Sequence, residues 1–410
     1  MQAEIITVGT EILIGSILNT NSKYISKKLS ELGVHIEYQL SVRDDINLIE
    51  DAVKSALKRS DIIVLCGGLG PTLDDITKDA VAKALGRKIY IDENEYKHLL
   101  NYFNSVNRKM TKNNIRQSRV IEGSTIFHNK WGIAPGEMIE IENKKIFLLP
   151  GPPKEFESMV DNYVIKNLAE ENDIILKSVN IVGIGEAAAE TRLRELNLED
   201  EDISVNTFAK FSETEIKIIA EGKDKKELVK KVHKVIEKIY QEFTVNIASE
   251  GEIPANEALV EKLIEKNKTI SFAESVTGGL LASKITEVKN ASKVLKSSYI
   301  TYSNMAKQKE LNVPTEILEK YGAVSDKTAY YMAKGLFNKG YCDLAVSVTG
   351  EAGPVPSEKE VGTTYICFYS GEDNYNIKFL KFTGNRNEIQ RRIVNYIISH
   401  LIVELNEENI

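Results

Sequence analysis

The chain has 410 residues, 42% of them hydrophobic and 28% charged, with a formal net charge of −7. That length exceeds one ordinary core and predicts roughly two to four domains, and no apolar run approaches the ~18–20 residues that would cross a bilayer. The acidic balance argues against general nucleic-acid binding, which rests on Lys/Arg excess. Cys66, Cys342 and Cys367 lie on apolar strand-like runs without metal-ligand spacing and read as reduced core residues. MQAEIITVGTE has no basic flank followed by a cleavable apolar segment, so a cytoplasmic protein is expected.

The N-terminal part alternates strand and helix. EIITVG is a first strand, after which Asn21 or Ser22 is expected to cap a helix with Ile25, Leu29 and Leu32 at helical spacing. HIEYQLSV and DIIVLCGG read as the second and third strands on either side of the helix INLIEDAVKSALKRS, and KKIFLL is a fourth strand running into PGPPKEF. This rhythm predicts a parallel sheet covered by helices, with ligands bound beyond the carboxyl ends of its strands. The segments leaving those ends are GTEILIG, VRDD and GGLGPTLDD, so Glu11, Asp44, Asp45, Asp74 and Asp75 are expected on one rim. Such oxygen ligands suit Mg²⁺ or Mn²⁺, with Asp75 and either Asp44 or Asp74 as the expected set. Asp74 is alternatively a cap for a helix starting near Asp75. The glycines of GGLGPT, among them Gly67, Gly68 and Gly70, let backbone N–H groups approach phosphate.

A smaller unit follows the acidic stretch AEENDI: strand KSVNIVG, helix EAAAETRLREL, strands ISVNTFAK and TEIKIIAEG, and a helix from Lys225 to Glu242. That βαββα order suits a compact α+β module. Its last helix is expected to bury Leu228, Val232, Val235 and Ile239 and to carry Lys226, Lys230, Lys234 and Lys238 on a solvated face. SEGEIPANE reads as a linker. The third unit begins with helix ALVEKLIEKN and strand TISFAES, followed by strand YITYS and a helix capped by Ser325 or Asp326. DLAVSVTG, VGTTYICFYS and NIKFLKF then read as strands, before the closing helix NEIQRRIVNYIISHLI. TISFAESVTGGLL places Ser275 and a glycine pair where a buried strand turns into a helix. With no histidine near, a base for Ser275 is more plausibly a lysine, and the following YITYSNMAKQ offers Tyr302 and Lys307. The alternative is that Ser275 only caps the helix.

The motifs TVGTEILIGSILNTN, GGLGPTLDDITKDA, NKWGIAPGEM, LLPGPPKE, AESVTGGLLA, TYSNMAK, GAVS, TGEAGP and VGTTY stand in the order found in the CinA (competence/damage-inducible protein A) family, which the chain resembles over nearly its whole length. The resemblance implies an α/β protein of three domains. Residues 1–170 would be a parallel-sheet domain similar to MoaB/MogA, 171–250 a small α+β KH-like module, and 251–410 an α/β nicotinamide mononucleotide deamidase. It implies a homodimer whose C-terminal domain converts nicotinamide mononucleotide to nicotinic acid mononucleotide and ammonia without a cofactor. The N-terminal domain would cleave ADP-ribose to AMP and ribose 5-phosphate with a divalent metal (Mg, Mn or Co), K⁺ being a further ion, or would serve as a non-catalytic pterin- or nucleotide-binding module.

Residue by residue, the resemblance makes Ser275 the nucleophile and Tyr302 and Lys307 its partners. It places Thr277, Gly278, Gly279, Thr349, Gly350 and Arg386 on the substrate, with Arg391 and Arg392 as further cations. The N–H groups of Val276 to Gly279 would serve either an oxyanion or the nucleotide phosphate. In the N-terminal domain it assigns Gly67, Gly68, Gly70 and Thr72 to the substrate and Asp44, Asp74 and Asp75 to the metal. Three positions depart from the family pattern: Val276 replaces a cysteine, Glu351 an apolar residue, and Cys66 a threonine. Glu351 would alter substrate preference if it faced the substrate, or else point to solvent. The KH-like segment lacks a GxxG loop of the nucleic-acid-binding kind, which argues against a nucleic-acid module.

Overall fold

In a computed structural model that describes residues 1–168, 173–210, 213–222 and 224–407, the chain divides into two compact units: Met1–Ile174 with Glu221–Lys225, and Ile175–Ala220 with Lys226–Ile410. The stretch AEENDI, expected to separate units, lies mostly outside the described residues.

The first unit contains β1 (Gln2–Val8), β2 (His35–Val42), β3 (Ile62–Cys66), β4 (Ile89–Ile91), β5 (Arg119–Ile121), β6 (Thr125–Phe127), β7 (Gly136–Ile141) and β8 (Lys144–Leu149). Its helices are α1 (Thr20–Glu31), α2 (Ile46–Arg59), α3 (Thr77–Leu85), α4 (Glu93–Ser105) and α5 (Pro153–Met159). Six strands form one sheet in the order β2-β1-β3-β8-β7-β6, and β4 pairs separately with β5. Unbroken apolar runs make its central strands because helices cover both faces. On β1, Ile5 packs with Phe147 and Leu149 against Ile25, Leu29 and Phe156, while its neighbour Ile6 packs with Leu65 and Leu148 against Ile49, Val53 and Val81. The four strands expected from sequence, β1, β2, β3 and β8, are parallel, but β7 and β6 continue the sheet antiparallel. The expected parallel sheet is thus present, and the two antiparallel strands extend one side of it. The cap of α1 is Asn19, whose side chain accepts from Ser22 N–H at 3.0 Å, rather than Asn21 or Ser22, which are buried.

The second unit holds two sheets. β9 (Asp173–Val182), β10 (Ile203–Lys210), β11 (Glu213–Gly222) and β12 (Ile247–Glu250) form one in the order β10-β11-β9-β12, with α6 (Glu186–Glu195) and α7 (Lys225–Glu242). α7 buries Leu228, Val232, Val235 and Ile239 against Ile216 and Ile218, and exposes the four stripe lysines. Ser249 and Glu250, the first two residues of the stretch read as linker, instead belong to β12 and pair with β9, next to the buried Ile247 and Ala248.

The other sheet has the order β14-β13-β15-β16-β17, from β13 (Ile270–Glu274), β14 (Leu295–Ile300), β15 (Leu344–Gly350), β16 (Thr363–Gly371) and β17 (Asn374–Lys381). Around it lie α8 (Ala255–Glu265), α9 (Leu280–Thr286), α10 (Asn304–Leu311), α11 (Thr315–Tyr321), α12 (Asp326–Phe337) and α13 (Arg386–Asn406). Ser325, not Asp326, caps α12, accepting from Thr328 N–H at 3.1 Å. β13 runs parallel to both β14 and β15, and so the three strands end on the same rim. One face packs Phe272, Val346 and Val348 against Leu259, Ile393 and Ile397; the other sets Ala273 and Ala345 against Leu311, Met332 and Leu336. Because Ile397 is fully buried in this core, Ile397→Ala is expected to cost about 2–5 kcal/mol. Denaturant unfolding of the second unit checks this, and an unchanged midpoint would contradict the packing.

Candidate functional site

Parallel strands deliver their carboxyl ends, and the loops that leave them, to one edge. Ser275 follows β13, Thr301 follows β14, and Thr349 and Gly350 end β15. Backbone bonds lock these ends together: Ser275 N–H donates to Val348 O at 3.0 Å and Thr301 N–H to Glu274 O at 2.8 Å. The Ser303 hydroxyl caps α10 by accepting from Ala306 N–H, which turns the first turn of that helix back over the edge. Lys307 is thereby drawn inward. Its Nζ donates to Thr301 O at 2.8 Å and lies 3.0 Å from Ser275 Oγ.

Lys307 is 1% exposed and Ser275 8%. Burial lowers the Lys307 amine from 10.5 to about 8, with the Glu358 carboxylate acting the other way. About one tenth of the amine is then neutral at pH 7, and a neutral amine is a proton acceptor. The pairing expected between Ser275 and Lys307 is thus present.

The turn after Ser275 differs from expectation. Gly279 has φ of 99°, and a Cβ there would stand 2.7 Å from the Ile300 side chain, so glycine is required. Gly278 N–H bonds Ser275 O. The Gly279, Leu281 and Ala282 N–H groups all donate to the fully buried Glu274 carboxylate, at 3.0, 3.1 and 2.9 Å. The hydroxyls of Thr277, at 2.7 Å, and Ser298, at 3.3 Å, donate to it as well. A substrate phosphate therefore has no vacant amides at Gly278 or Gly279, and those two expectations are corrected; the Thr277 hydroxyl is engaged, while its N–H is not. In the turn, only the N–H groups of Val276 and Thr277 have no hydrogen-bond partner among the described residues.

Tyr302 is 61% exposed, and its hydroxyl accepts from Arg386 Nη2 at 2.7 Å. No hydrogen bond among the described residues joins it to Ser275 or Lys307, so as a direct partner of that pair Tyr302 is corrected to a surface group oriented by Arg386. The other Arg386 Nη donates to Gly353 O. Arg391 and Arg392 are exposed. Thr349 is buried and its hydroxyl donates to Ala323 O at 2.7 Å, while a Cβ on Gly350 would meet Thr363 O at 2.7 Å. Both thus serve strand closure, and neither offers a free polar side-chain atom to a substrate.

Glu351 does not point to solvent. It is buried, and its carboxylate accepts from Ser357 N–H at 3.1 Å and Ser357 hydroxyl at 2.5 Å. Burial pushes this carboxyl up, but those bonds and the N–H groups of Glu358 and Gly353 outweigh it and hold it below its ordinary value. Glu351 staples the loop that carries Gly353 and Glu358.

In the first unit, the ends of β1, β3 and β8 open onto a cleft of about 850 Å³ lined by Gly67, Gly68, Gly70, Asp44, Asp74 and Asp75, with Glu11 beside them. A Cβ on Gly67, whose φ is 100°, would stand 2.3 Å from Val8 O. Thr72 does not line the cleft; its N–H and hydroxyl bind Asp75 Oδ2 at 2.8 and 2.5 Å. Thr10 does the same for Asp44 Oδ2, at 3.0 and 2.9 Å. Asp74 caps nothing, since α3 begins at Thr77 without a side-chain cap. Among the described residues no three His, Cys, Asp or Glu side chains stand close enough to hold an ion, so Asp44, Asp74 and Asp75 do not form a preformed metal cage. Their oxygen donors do fit an ion held chiefly by pyrophosphate and water, which needs only one or two carboxylates.

Residues 252–405 match the family profile "CinA C-terminal domain", residues 4–170 "Probable molybdopterin binding domain", and residues 176–247 "Damage-inducible protein CinA KH domain". The CinA-like proteins of Dictyoglomus thermophilum and Dictyoglomus turgidum are each 40% identical over 395 residues, covering 95% of this chain and 96% of theirs. The chain belongs to the CinA family. A solved CinA structure of unknown function from Thermoplasma acidophilum is 33% identical, covers 41% of this chain and 99% of its own, and has a TM-score of 0.39. The architecture is accordingly a MoaB-like domain, a KH-like module and a CinA C-terminal domain.

Of the departures from the family pattern, Val276 is buried, and Cys66 is a buried thiol pushed up to about 12 by desolvation, with the Asn21 amide donating to it. Sequence reasoning missed Glu274, although it sits inside AESVTGG. It also missed His98, Tyr102, Lys130, Trp131 and Glu155 on the N-terminal cleft. Glu155 lies in the quoted motif LLPGPPKE; burial pushes its carboxyl up against a 2.6 Å bond from Asn129. Ser357→Ala removes both the short hydroxyl bond to Glu351 and its orienting effect, a loss of about 1–3 kcal/mol. Faster amide hydrogen exchange in residues 353–362 is the expected result, and unchanged exchange would show that Glu351 does not hold that loop.

Proposed function

We propose that the C-terminal domain hydrolyses the carboxamide of nicotinamide mononucleotide. The observation that carries this reading is the buried amine of Lys307 lying 3.0 Å from Ser275 Oγ. Ser275 Oγ attacks the carboxamide carbon while its proton passes to Lys307 Nζ, and the carbonyl oxygen becomes an oxyanion. The N–H groups of Val276 and Thr277 are the free donors beside it. Collapse of the adduct breaks the C–N bond as Lys307 returns the proton to the departing nitrogen, leaving ammonia and an ester on Ser275. Water, deprotonated by Lys307, then cleaves that ester to nicotinic acid mononucleotide and restores the serine. Arg386, presented at the start of α13, is the cation proposed for the phosphate, with the Tyr302 hydroxyl beside it.

Ser275→Ala is expected to lower ammonia release on the order of 1,000-fold or more, and Lys307→Met by about 100- to 10,000-fold. Because Lys307 must be neutral to accept the proton, the rate should rise with pH through about 8. A rate falling over that range, or full activity in Ser275→Ala, would refute the assignment.

For the N-terminal domain we propose ADP-ribose as ligand and substrate, giving AMP and ribose 5-phosphate. The support is a roomy cleft with glycine backbone on one side, carboxylates on its rim, and Trp131 and Tyr102 available to a base. A divalent ion would be held by Asp44, Asp74 or Asp75 together with the pyrophosphate, and would supply charge neutralisation there. AMP release is expected with Mg²⁺, Mn²⁺ or Co²⁺, diminished in Asp75→Ala and unchanged in Ser275→Ala. Saturable ADP-ribose binding without AMP in any metal would favour a binding module instead.

A further inference from the structure

Five donors on one buried carboxylate is more than a helix cap requires. Glu274 precedes Ser275, and its side chain lies beneath the turn that carries the proposed nucleophile. Oε2 accepts from the Thr277 hydroxyl, Gly279 N–H and Leu281 N–H; Oε1 accepts from Ala282 N–H and the Ser298 hydroxyl. The residue is 0% exposed, and no Lys or Arg forms an ion pair with it among the described residues, so backbone and hydroxyl dipoles alone balance it. Such a group acts as an internal anion that satisfies the donors at the start of α9.

We infer that Glu274 is a positioning residue for the amidase reaction, one that fixes the 275–279 turn so that the N–H groups of Val276 and Thr277 stay unpaired and directed at the developing oxyanion. The inference rests on the amidase reading given above. Gly278 N–H closes the turn onto Ser275 O, and Gly279, Leu281 and Ala282 N–H are gathered on the carboxylate. The two amides left over are those immediately after the nucleophile. With the carboxylate absent, the gathered amides would compete for the oxyanion or for phosphate, and the turn would lose its single arrangement. The same device separates the two negative charges of the reaction. The transient oxyanion is met by Val276 and Thr277, while the permanent phosphate is kept off the helix start and left to Arg386.

Glu274→Gln tests this, because a carboxamide nitrogen cannot accept and must face at least one backbone donor whichever way it is turned. A loss of about 10- to 100-fold in kcat is expected, with KM for nicotinamide mononucleotide within about two-fold. Arg386→Gln should show the opposite split, a raised KM with a smaller change in kcat. Should Glu274→Gln fail to fold, Ser298→Ala, which deletes only the longest of the five bonds, gives the folded comparison and should lower kcat several-fold without moving KM. Unchanged kcat in the folded variants, or a loss carried by KM, would overturn the inference. Ser275→Ala assayed alongside separates the two readings. Ammonia release retained in Ser275→Ala counts against the amidase assignment itself, whereas an inactive Ser275→Ala beside a fully active Glu274→Gln removes only the positioning role.

Discussion

The C-terminal site depends on taking one primary amine out of water. An exposed lysine holds its proton near 10.5, and at neutral pH it has almost nothing to offer as a base. Lys307 is turned inward because Ser303 caps α10 and Leu311 anchors the other end of that helix in the core. Its nearest polar neighbours are a carbonyl and a hydroxyl, neither of which compensates a full positive charge as a contacting carboxylate would. Glu358, held by the loop that Glu351 staples, pulls the other way and keeps the shift moderate. Everything else at this edge of the sheet follows from keeping that arrangement in register: three parallel strands, two interlocking backbone bonds and a glycine turn.

The two halves of the chain handle negative charge differently. Around Ser275 the anion is internal, a buried carboxylate with its donors supplied by the turn, the start of α9 and β14. In the N-terminal cleft the carboxylates stand on the rim, with Asp44 and Asp75 each oriented by one threonine, and the cleft itself is open. A carboxylate that already satisfies the neighbouring donors leaves two fixed amides for a transient oxyanion at one point. An open rim of oriented carboxylates suits a larger ligand that brings its own phosphates and counter-ion.

Much of the fold was legible in the sequence where periodicity was strong. β2, β10 and α7 lie where alternation and helical spacing put them, and the four buried positions of α7 are the expected ones. β7 was missed because its first residues belong to NKWGIAPGEM, whose glycines and proline read as loop. The strand Ile247–Glu250 was missed because it is short and followed at once by a glycine. The α1 cap was misplaced by two or three residues since NTNS offers four polar candidates in a row, and only tertiary burial of Asn21 and Ser22 decides among them. At the site, the contact between Ser275 and Lys307 joins residues 32 apart in the chain, and spacing alone could not select that lysine; the family resemblance did. The commitments of Thr72, Thr277 and Thr349 to neighbouring groups were invisible, because a hydroxyl in a motif looks the same whether it faces ligand or backbone. Glu274 was overlooked for a related reason: a glutamate at the end of an apolar strand gives no local sign of the donors that the following helix will bring to it.

Direct titration of the Lys307 side chain, followed through the chemical shift of its Cε carbon in the full-length protein, tests the central claim most closely. The account predicts a midpoint near 8. A midpoint at the ordinary lysine value of 10.5 would contradict it, since Ser275 would then face an ammonium with no capacity to take its proton.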